Sequence, residues 1–144
     1  MTRAWVGCAV VTLLVGCQEH EFHPPDQAAQ VAAADSAYSP ALFDTIKWAT
    51  DSARIEEGNE VYAARCDRCH GALGEAGTDY AREQKLEVPS LVRADWPFQD
   101  HDAVRHRIFT GHPAGMPIWG MSGLSLREID AVTAYVIEVL RARQ

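Results

Sequence analysis

The chain has 144 residues, of which 47% are hydrophobic and 23% are charged, and its formal net charge is −7. This length fits one domain with a short extension. The acidic balance argues against nucleic acid or anionic lipid as an electrostatic partner. No apolar stretch reaches the roughly 18 residues that a membrane-spanning helix needs.

The first sixteen residues are typical of a secretory signal peptide. Arg3 is followed by a largely apolar run from Ala4 to Val15, which is too short to span a bilayer. The junction Leu14-Val15-Gly16-Cys17 resembles the lipidation box of bacterial lipoproteins. We therefore expect cleavage before Cys17, lipid attachment to its sulfur, and an exported, membrane-anchored protein that faces the periplasm or the outer side of the cytoplasmic membrane. The alternatives are an ordinary signal peptide with an incidental cysteine and a poorly formed membrane helix.

Residues 17–40 contain many Ala, Gln, Asp and Pro residues and few large apolar ones. Such a composition buries too little apolar surface to order a chain, so we expect a flexible tether there. Residues 41–51 break this pattern, because large apolar side chains would be exposed to water. We expect this segment to pack on the domain as an N-terminal extension. Its large apolar residues are Leu42, Phe43, Ile46 and Trp48.

The remaining domain, residues 52–144, is predicted to be all-α, with three clear helices. The first covers about residues 53–64, after the candidate capping residues Asp51 and Ser52. The second covers about residues 102–110, where apolar residues recur at helical spacing.

The third helix begins after Ser125, which is predicted to form a capping box with Glu128. Apolar residues then recur along one side of this helix, at Ile129, Val132, Val136 and Val139. A glycine-rich loop over residues 71–89 separates the first two helices, which leaves part of the core to a cofactor. The predicted architecture is three to five helices around that cofactor.

The sequence Cys66-Asp67-Arg68-Cys69-His70 is the signature of heme c attachment. Two thiols add to the two heme vinyl groups as thioethers, and the two intervening residues match the separation of the vinyls. His70 then reaches the iron through its imidazole. Two alternatives are a thioredoxin-like redox pair and a zinc site. The first needs a βαβ pattern and the second needs two further ligands, and the sequence offers neither.

Iron with two strong protein ligands is suited to electron transfer, so we expect a sixth ligand. Met116, in Gly115-Met116-Pro117, is the favoured candidate because its soft thioether stabilises ferrous iron. Pro117 stiffens the loop that carries this sulfur. Met121 is the rival methionine, and a histidine ligand is a further alternative. The histidines concerned are His101, His106 and His112.

These residues resemble class I cytochromes c, and the resemblance covers about Ile55 to Leu140. In that family a glycine at the place of Gly58 lets the first helix cross the last helix closely. An aromatic residue at the place of Tyr62 packs in the crossing. Val132 and Tyr135 hold the corresponding places on the last helix. The resemblance implies a cytochrome c fold around one covalently bound heme.

The resemblance also assigns further contacts to the heme. Pro89 resembles the proline whose carbonyl accepts the second N–H of the proximal histidine, which would fix the imidazole of His70. The loop between them is longer than in the compact mitochondrial type, and the alternative for Pro89 is a turn residue. Leu91 would pack on the heme. Trp119 would line the pocket near the methionine, and the alternative for it is an ordinary core tryptophan.

The predicted function is electron transfer by a membrane-tethered monoheme cytochrome c, with heme c as cofactor and His70 and Met116 as iron ligands. We expect redox proteins at the membrane as partners, and no nucleic acid, small-molecule substrate or catalytic residue. The first alternative is a fixed heme c subunit of a larger membrane or periplasmic oxidoreductase. The second is a heme enzyme or gas sensor with an open sixth position.

Overall fold

The computed structural model describes residues 26–121 and 123–143, so the predicted signal peptide and Cys17 lie outside the described residues. All the regular secondary structure of the described residues is helical, and their one β-type pairing is an isolated bridge between His112 and Met116. Their six α-helices are α1 (Gln27–Ala37), α2 (Asp51–Arg65), α3 (Asp67–His70), α4 (Asp79–Glu83), α5 (His101–Thr110) and α6 (Leu126–Ala134). Two 3₁₀ turns, Pro40–Phe43 and Arg141–Arg143, and a π-helical continuation of α6, Tyr135–Leu140, complete the set. Within residues 26–121 and 123–143, none of the helices is long and apolar enough to cross a bilayer.

The crossing of α2 and α6 forms the centre of the fold. A Cβ atom built on Gly58 would lie 2.2 Å from the backbone oxygen of Ala131, so only glycine permits this approach. The rings of Tyr62 and Tyr135 pack beside it with their centroids 5.5 Å apart. Val132 is completely buried in the same crossing. The packing expected for these residues is confirmed.

The start of α6 is fixed by the predicted capping box. The Ser125 hydroxyl accepts the backbone N–H of Glu128 at 3.2 Å, and the Glu128 carboxylate accepts the backbone N–H of Ser125 at 2.7 Å. This exchange satisfies two backbone donors that the helix itself cannot satisfy. Ile129 and Val136 are buried along the face that the apolar spacing indicated.

The other two predicted helices are present, with small differences at their starts. The side chain of Thr50, one residue before the expected cap, accepts the backbone N–H of Ala53 at 3.1 Å, so α2 begins at Asp51. Asp100 caps α5 in the same way, through the backbone N–H of Ala103 at 2.8 Å. The glycine-rich loop is more regular than expected, because it includes the short helix α4.

The flexible tether predicted for residues 17–40 is wrong over residues 27–37, which form α1. The Asp26 carboxylate caps this helix by accepting the backbone N–H of Ala28 at 3.0 Å. Ala34 is completely buried where α1 packs on α5. The low content of large apolar residues predicted a flexible chain, but many of the small residues are alanines. Alanine is the best helix former, and its small side chain lets two helices approach closely.

Residues 40–48 bind the helical domain through a few large contacts. Phe43 is buried in the core. The indole N–H of Trp48 donates to the Asp130 carboxylate at 2.7 Å, and the guanidinium of Arg105 in α5 pairs with the same carboxylate. The Arg127 guanidinium lies 3.5 Å from the centre of the Trp48 ring. The segment thereby joins α5 to α6.

Candidate heme-binding site

A cavity of about 380 Å³ lies between α2, α5, α6 and the loops that follow α4 and α5. This volume falls within the roughly 300–1,000 Å³ typical of cofactor and small-molecule sites. Every residue predicted for the heme site lines it: Cys66, Cys69, His70, Pro89, Leu91, Met116 and Trp119. A larger but more open depression, about 480 Å³, is lined by residues such as Ser52 and Asn59 and includes none of these seven.

The attachment motif adopts a single helical turn. The backbone N–H groups of Cys69 and His70 both donate to the carbonyl of Cys66, at 3.1 and 2.9 Å. Residues three and four positions apart in a helix share a face, so both sulfurs and the imidazole are presented to one side. All three residues line the cavity on that side. The spacing of the two cysteines and the histidine in the sequence therefore matches one turn of a helix.

The two thiols are kept protonated by their surroundings. Burial raises the pKa of the Cys66 thiol to about 12, and burial also raises the pKa of Cys69 against the opposing effect of Arg68. Cysteines in redox pairs have lowered pKa values, so this environment does not favour a thioredoxin-like role. Within the described residues, no group of three or more His, Cys, Asp or Glu side chains could hold a metal ion, so the zinc alternative has no support there.

The imidazole of His70 is suited to binding a metal. Its Nδ1 atom is buried and has no hydrogen-bond partner among the described residues. Burial lowers the pKa of His70, and the nearby carbonyl of Pro89 raises it by a smaller amount. This carbonyl does not make a hydrogen bond of normal geometry with Nδ1. The net effect favours the neutral imidazole, the form that coordinates metals.

Met116 reaches the cavity from a loop that folds back on itself. Gly111 has φ +69°, and a Cβ there would lie 2.6 Å from the carbonyl oxygen of Met116. The backbone N–H of His112 donates to that same oxygen at 3.1 Å. These contacts bring the half-buried side chain of Met116 to the cavity wall.

The rival iron ligands differ in position. Met121 does not line the cavity, and 59% of its surface is exposed. His101 contacts Glu138 at 3.3 Å and His106 contacts Asp35 at 2.7 Å, both outside the cavity. His112 does line the cavity, and its Nδ1 accepts the backbone N–H of Ala114 at 3.1 Å. Of the alternative ligands, His112 is therefore the one that shares the cavity with Met116.

The rest of the wall is largely apolar. Leu91 is buried, and its backbone N–H donates to the Gly74 carbonyl at 2.8 Å, which anchors the loop after Pro89. Trp119 is half-buried on the methionine side of the cavity. Several further wall residues were not predicted from the sequence. They are Leu86, Trp96, Phe98 and Arg107.

Arg107 is the wall residue most open to detection from the sequence. It lies between Val104 and Ile108, two cavity-lining positions of the predicted second helix. Its guanidinium lies 5.1 Å from the centre of the Phe98 ring, and it donates to the Gly111 carbonyl at 3.1 Å. A basic residue among the apolar positions of a helix predicts a polar partner for its charge, since buried charged side chains are almost always paired.

A helical domain whose cavity collects two cysteines, the histidine that follows them and a methionine from a distant loop has the design of a c-type cytochrome. The donor set fits heme c, since it offers two thiols for the vinyl groups, a neutral imidazole and a soft thioether in an apolar setting.

The chain belongs to the family described as cytochrome c oxidase, cbb3-type, subunit III, which matches residues 53–136. It is also similar to the cbb3-type cytochrome c oxidase subunit FixP of Azorhizobium caulinodans, with 32% identity over 87 residues. That match covers 60% of this chain and 27% of the relative, so the chain corresponds to about a quarter of that protein. No solved structure matches the chain. These findings support electron transfer by heme.

Proposed function

We propose that this chain transfers single electrons through one heme c, bound covalently by Cys66 and Cys69 and coordinated by His70 and Met116. The observation that carries the proposal is the meeting of these four side chains at one cavity. Three of them come from a single helical turn, and the fourth comes from a loop beyond α5. Random placement of the predicted residues would not bring all of them to one apolar space.

The heme, once bound, supplies an iron that alternates between the ferric and ferrous states. The residues of the chain set the conditions for that change. His70 and Met116 would both bind the iron, so the chain would leave no iron position for a substrate. The thioether of Met116 favours the reduced state, and the apolar wall formed by Leu91 and Trp119 disfavours the additional charge of the oxidised state. Retained ligands and a rigid wall keep structural rearrangement small.

The proposal extends to the segment before the described residues. We propose that Cys17 carries a lipid and that the domain faces the periplasm or the outer side of the cytoplasmic membrane. The signal-like residues 1–16 and the lipidation box support this placement. Redox proteins at the same membrane would be the partners. Because α1 belongs to the domain, the tether would extend from Cys17 only to about residue 25.

Covalent attachment is tested by unfolding the purified protein in acid and extracting free heme with solvent. We expect the heme absorbance to stay with the wild-type polypeptide. Cys66→Ala and Cys69→Ala should each retain heme through a single thioether, with a shifted ferrous α-band, and the double variant should release its heme. Heme extracted quantitatively from the wild type would contradict the proposal.

Two arrangements remain for the whole protein. In the first, the domain is a tethered carrier that moves between partners, as the predicted lipid and tether suggest. In the second, the domain is a fixed subunit of a larger oxidoreductase, which the similarity to an oxidase subunit favours. Mild detergent extraction separates them. A carrier is recovered alone, whereas a fixed subunit co-purifies with other redox proteins in constant proportion.

A further inference from the structure

Among the described residues, the end of the loop that carries Met116 is tied to α5 by the backbone N–H of Gly120, which donates to the Phe109 carbonyl at 3.1 Å. Inside the loop, the backbone N–H of Gly115 donates to the His112 carbonyl at 3.1 Å, and that of His112 donates to the Met116 carbonyl at 3.1 Å. From α5, the Arg107 guanidinium reaches the Gly111 carbonyl. These contacts define the turn, but none of them crosses from the N-terminal part of the chain.

Gln27, the first residue of α1, connects the N-terminal part of the chain to this loop. Its side-chain amide nitrogen donates to the Met116 carbonyl at 3.1 Å and lies 3.4 Å from the His112 carbonyl. One NH₂ group has two protons, so a single side chain can serve both oxygens. The contact is made to the backbone of the proposed axial ligand itself, 89 positions away in the sequence.

The position of Gln27 is fixed by the way α1 docks on α5. Asp35 contacts His106 at 2.7 Å, and the Tyr38 hydroxyl donates to the Asp102 carboxylate at 2.6 Å. Ala34, the neighbour of Asp35 in α1, is completely buried. The donor at the start of α1 is therefore held by contacts to the same helix, α5, that leads into the methionine loop.

We infer that Gln27 is a positioning residue that holds the Met116 loop against the cavity and so keeps the thioether on the iron. This inference rests on the proposed axial role of Met116. A thioether is a weak ligand whose retention depends on the loop that presents it. One net hydrogen bond changes an equilibrium by about fivefold, so its loss should raise the population with Met116 detached by about that factor.

The test uses imidazole binding to the ferric, heme-loaded full chain, because imidazole can bind the iron only when the methionine has left. Gln27→Glu keeps the size of the side chain but replaces the donor by oxygens that repel the two carbonyls. We expect it to raise the apparent affinity for imidazole about fivefold or more. Gln27→Lys restores an N–H donor and should return the affinity to within about twofold of wild type.

The pair of variants separates positioning from helix stability. An acidic residue in the first turn of a helix stabilises it, and a basic residue there destabilises it. If Gln27 acted only through the stability of α1, the Glu variant would bind imidazole more weakly and the Lys variant more tightly. Ser36→Ala removes a different side-chain hydrogen bond from α1, to the Ala32 carbonyl, and should leave imidazole binding unchanged.

A wild-type affinity in Gln27→Glu, or an equal change in Ser36→Ala, would overturn the inference. Met116→Ala distinguishes this failure from failure of the proposed function. If Met116→Ala raises imidazole affinity strongly while Gln27→Glu has no effect, Met116 is the ligand and Gln27 does not position it. If neither variant has any effect, the axial assignment itself is wrong.

Discussion

The two sides of the proposed heme site are built in different ways. On the attachment side, Cys69 and His70 lie in α3, and Cys66 is the residue that joins α3 to α2. Their relative positions follow from local helix geometry and from the close crossing of α2 with α6. On the methionine side, Met116 lies in a loop whose place depends on side chains from α5 and α1. A local motif fixes one face, and long-range contacts fix the other, so we expect changes on the two sides to have different consequences.

The largest expected effect is on the attachment side, at the helix crossing. Gly58→Val would force a side chain into the space occupied by the Ala131 carbonyl, where even a Cβ would lie 2.2 Å from its oxygen. We expect the free energy of unfolding of the heme-loaded protein to fall by about 3 kcal/mol or more, as measured by guanidinium titration. Ala63→Val on the exposed side of α2 is the control, with an expected loss of only about 0.5 kcal/mol from the lower helix propensity of valine. Equal stability of the two variants would disprove the close crossing.

The second effect is at the contact that joins the two sides. Asp130 in α6 is buried and pairs with Arg105 of α5 and with Trp48. Asp130→Ala would leave the largely buried guanidinium without its partner, and we expect a loss of about 3 kcal/mol in the same titration.

The control for Asp130 is an exposed ion pair of the same kind. Asp95 lies 3.0 Å from Arg93 and its side chain is 80% exposed. Asp95→Ala should cost less than about 1 kcal/mol, since water screens exposed pairs. A similar loss in both variants would show that burial does not govern the Asp130 contact.

A smaller effect is expected at the start of α6. Ser125→Ala removes the side-chain cap and should lower the free energy of unfolding by about 1 kcal/mol, whereas Ser52→Ala, an exposed serine in the first turn of α2, should change it far less. The change also has a pH signature. The backbone N–H and the hydroxyl of Ser125 lower the pKa of Glu128. A carboxylate with a lowered pKa stabilises the fold fully above its unfolded value of 4.5 and loses that contribution as the pH falls through the folded value.

This signature gives a second measurement for the same cap. Stability of the wild type should decrease below about pH 4.5, partly through Glu128, and the decrease should be shallower in Ser125→Ala. Thermal unfolding between pH 3 and pH 6 provides the comparison. Parallel pH profiles for the two proteins would mean that the capping box does not set the pKa of Glu128.

The contrast between the two sides also explains what could be read from the sequence. The attachment motif, the capping box of α6 and the apolar stripe after it are local patterns, so their structure follows from residues a few positions apart. Met116 was proposed as a ligand from the chemistry that a heme iron would need, and the structure places this residue on the cavity wall. Gln27 carries no local sign of its contact, because its partners lie 85 and 89 positions away.

The N-terminal segment shows the limit of composition as a guide. An alanine-rich stretch has few large apolar side chains, which is also the composition of a flexible linker. Its structure is decided by whether a complementary surface exists for its small residues, and α5 provides that surface for Ala34. Docking of this kind depends on two segments that are far apart in the sequence, so it cannot be predicted from a local stretch of residues.

The measurement that tests the account most directly is the midpoint potential and ferric absorption spectrum of Met116→Ala. Loss of the thioether should lower the potential, since methionine favours the ferrous state, and should abolish the weak long-wavelength band of methionine-bound ferric heme. Met121→Ala, which changes an exposed methionine outside the cavity, should leave both unchanged. A Met116→Ala protein with the potential and spectrum of the wild type would contradict the two-ligand site.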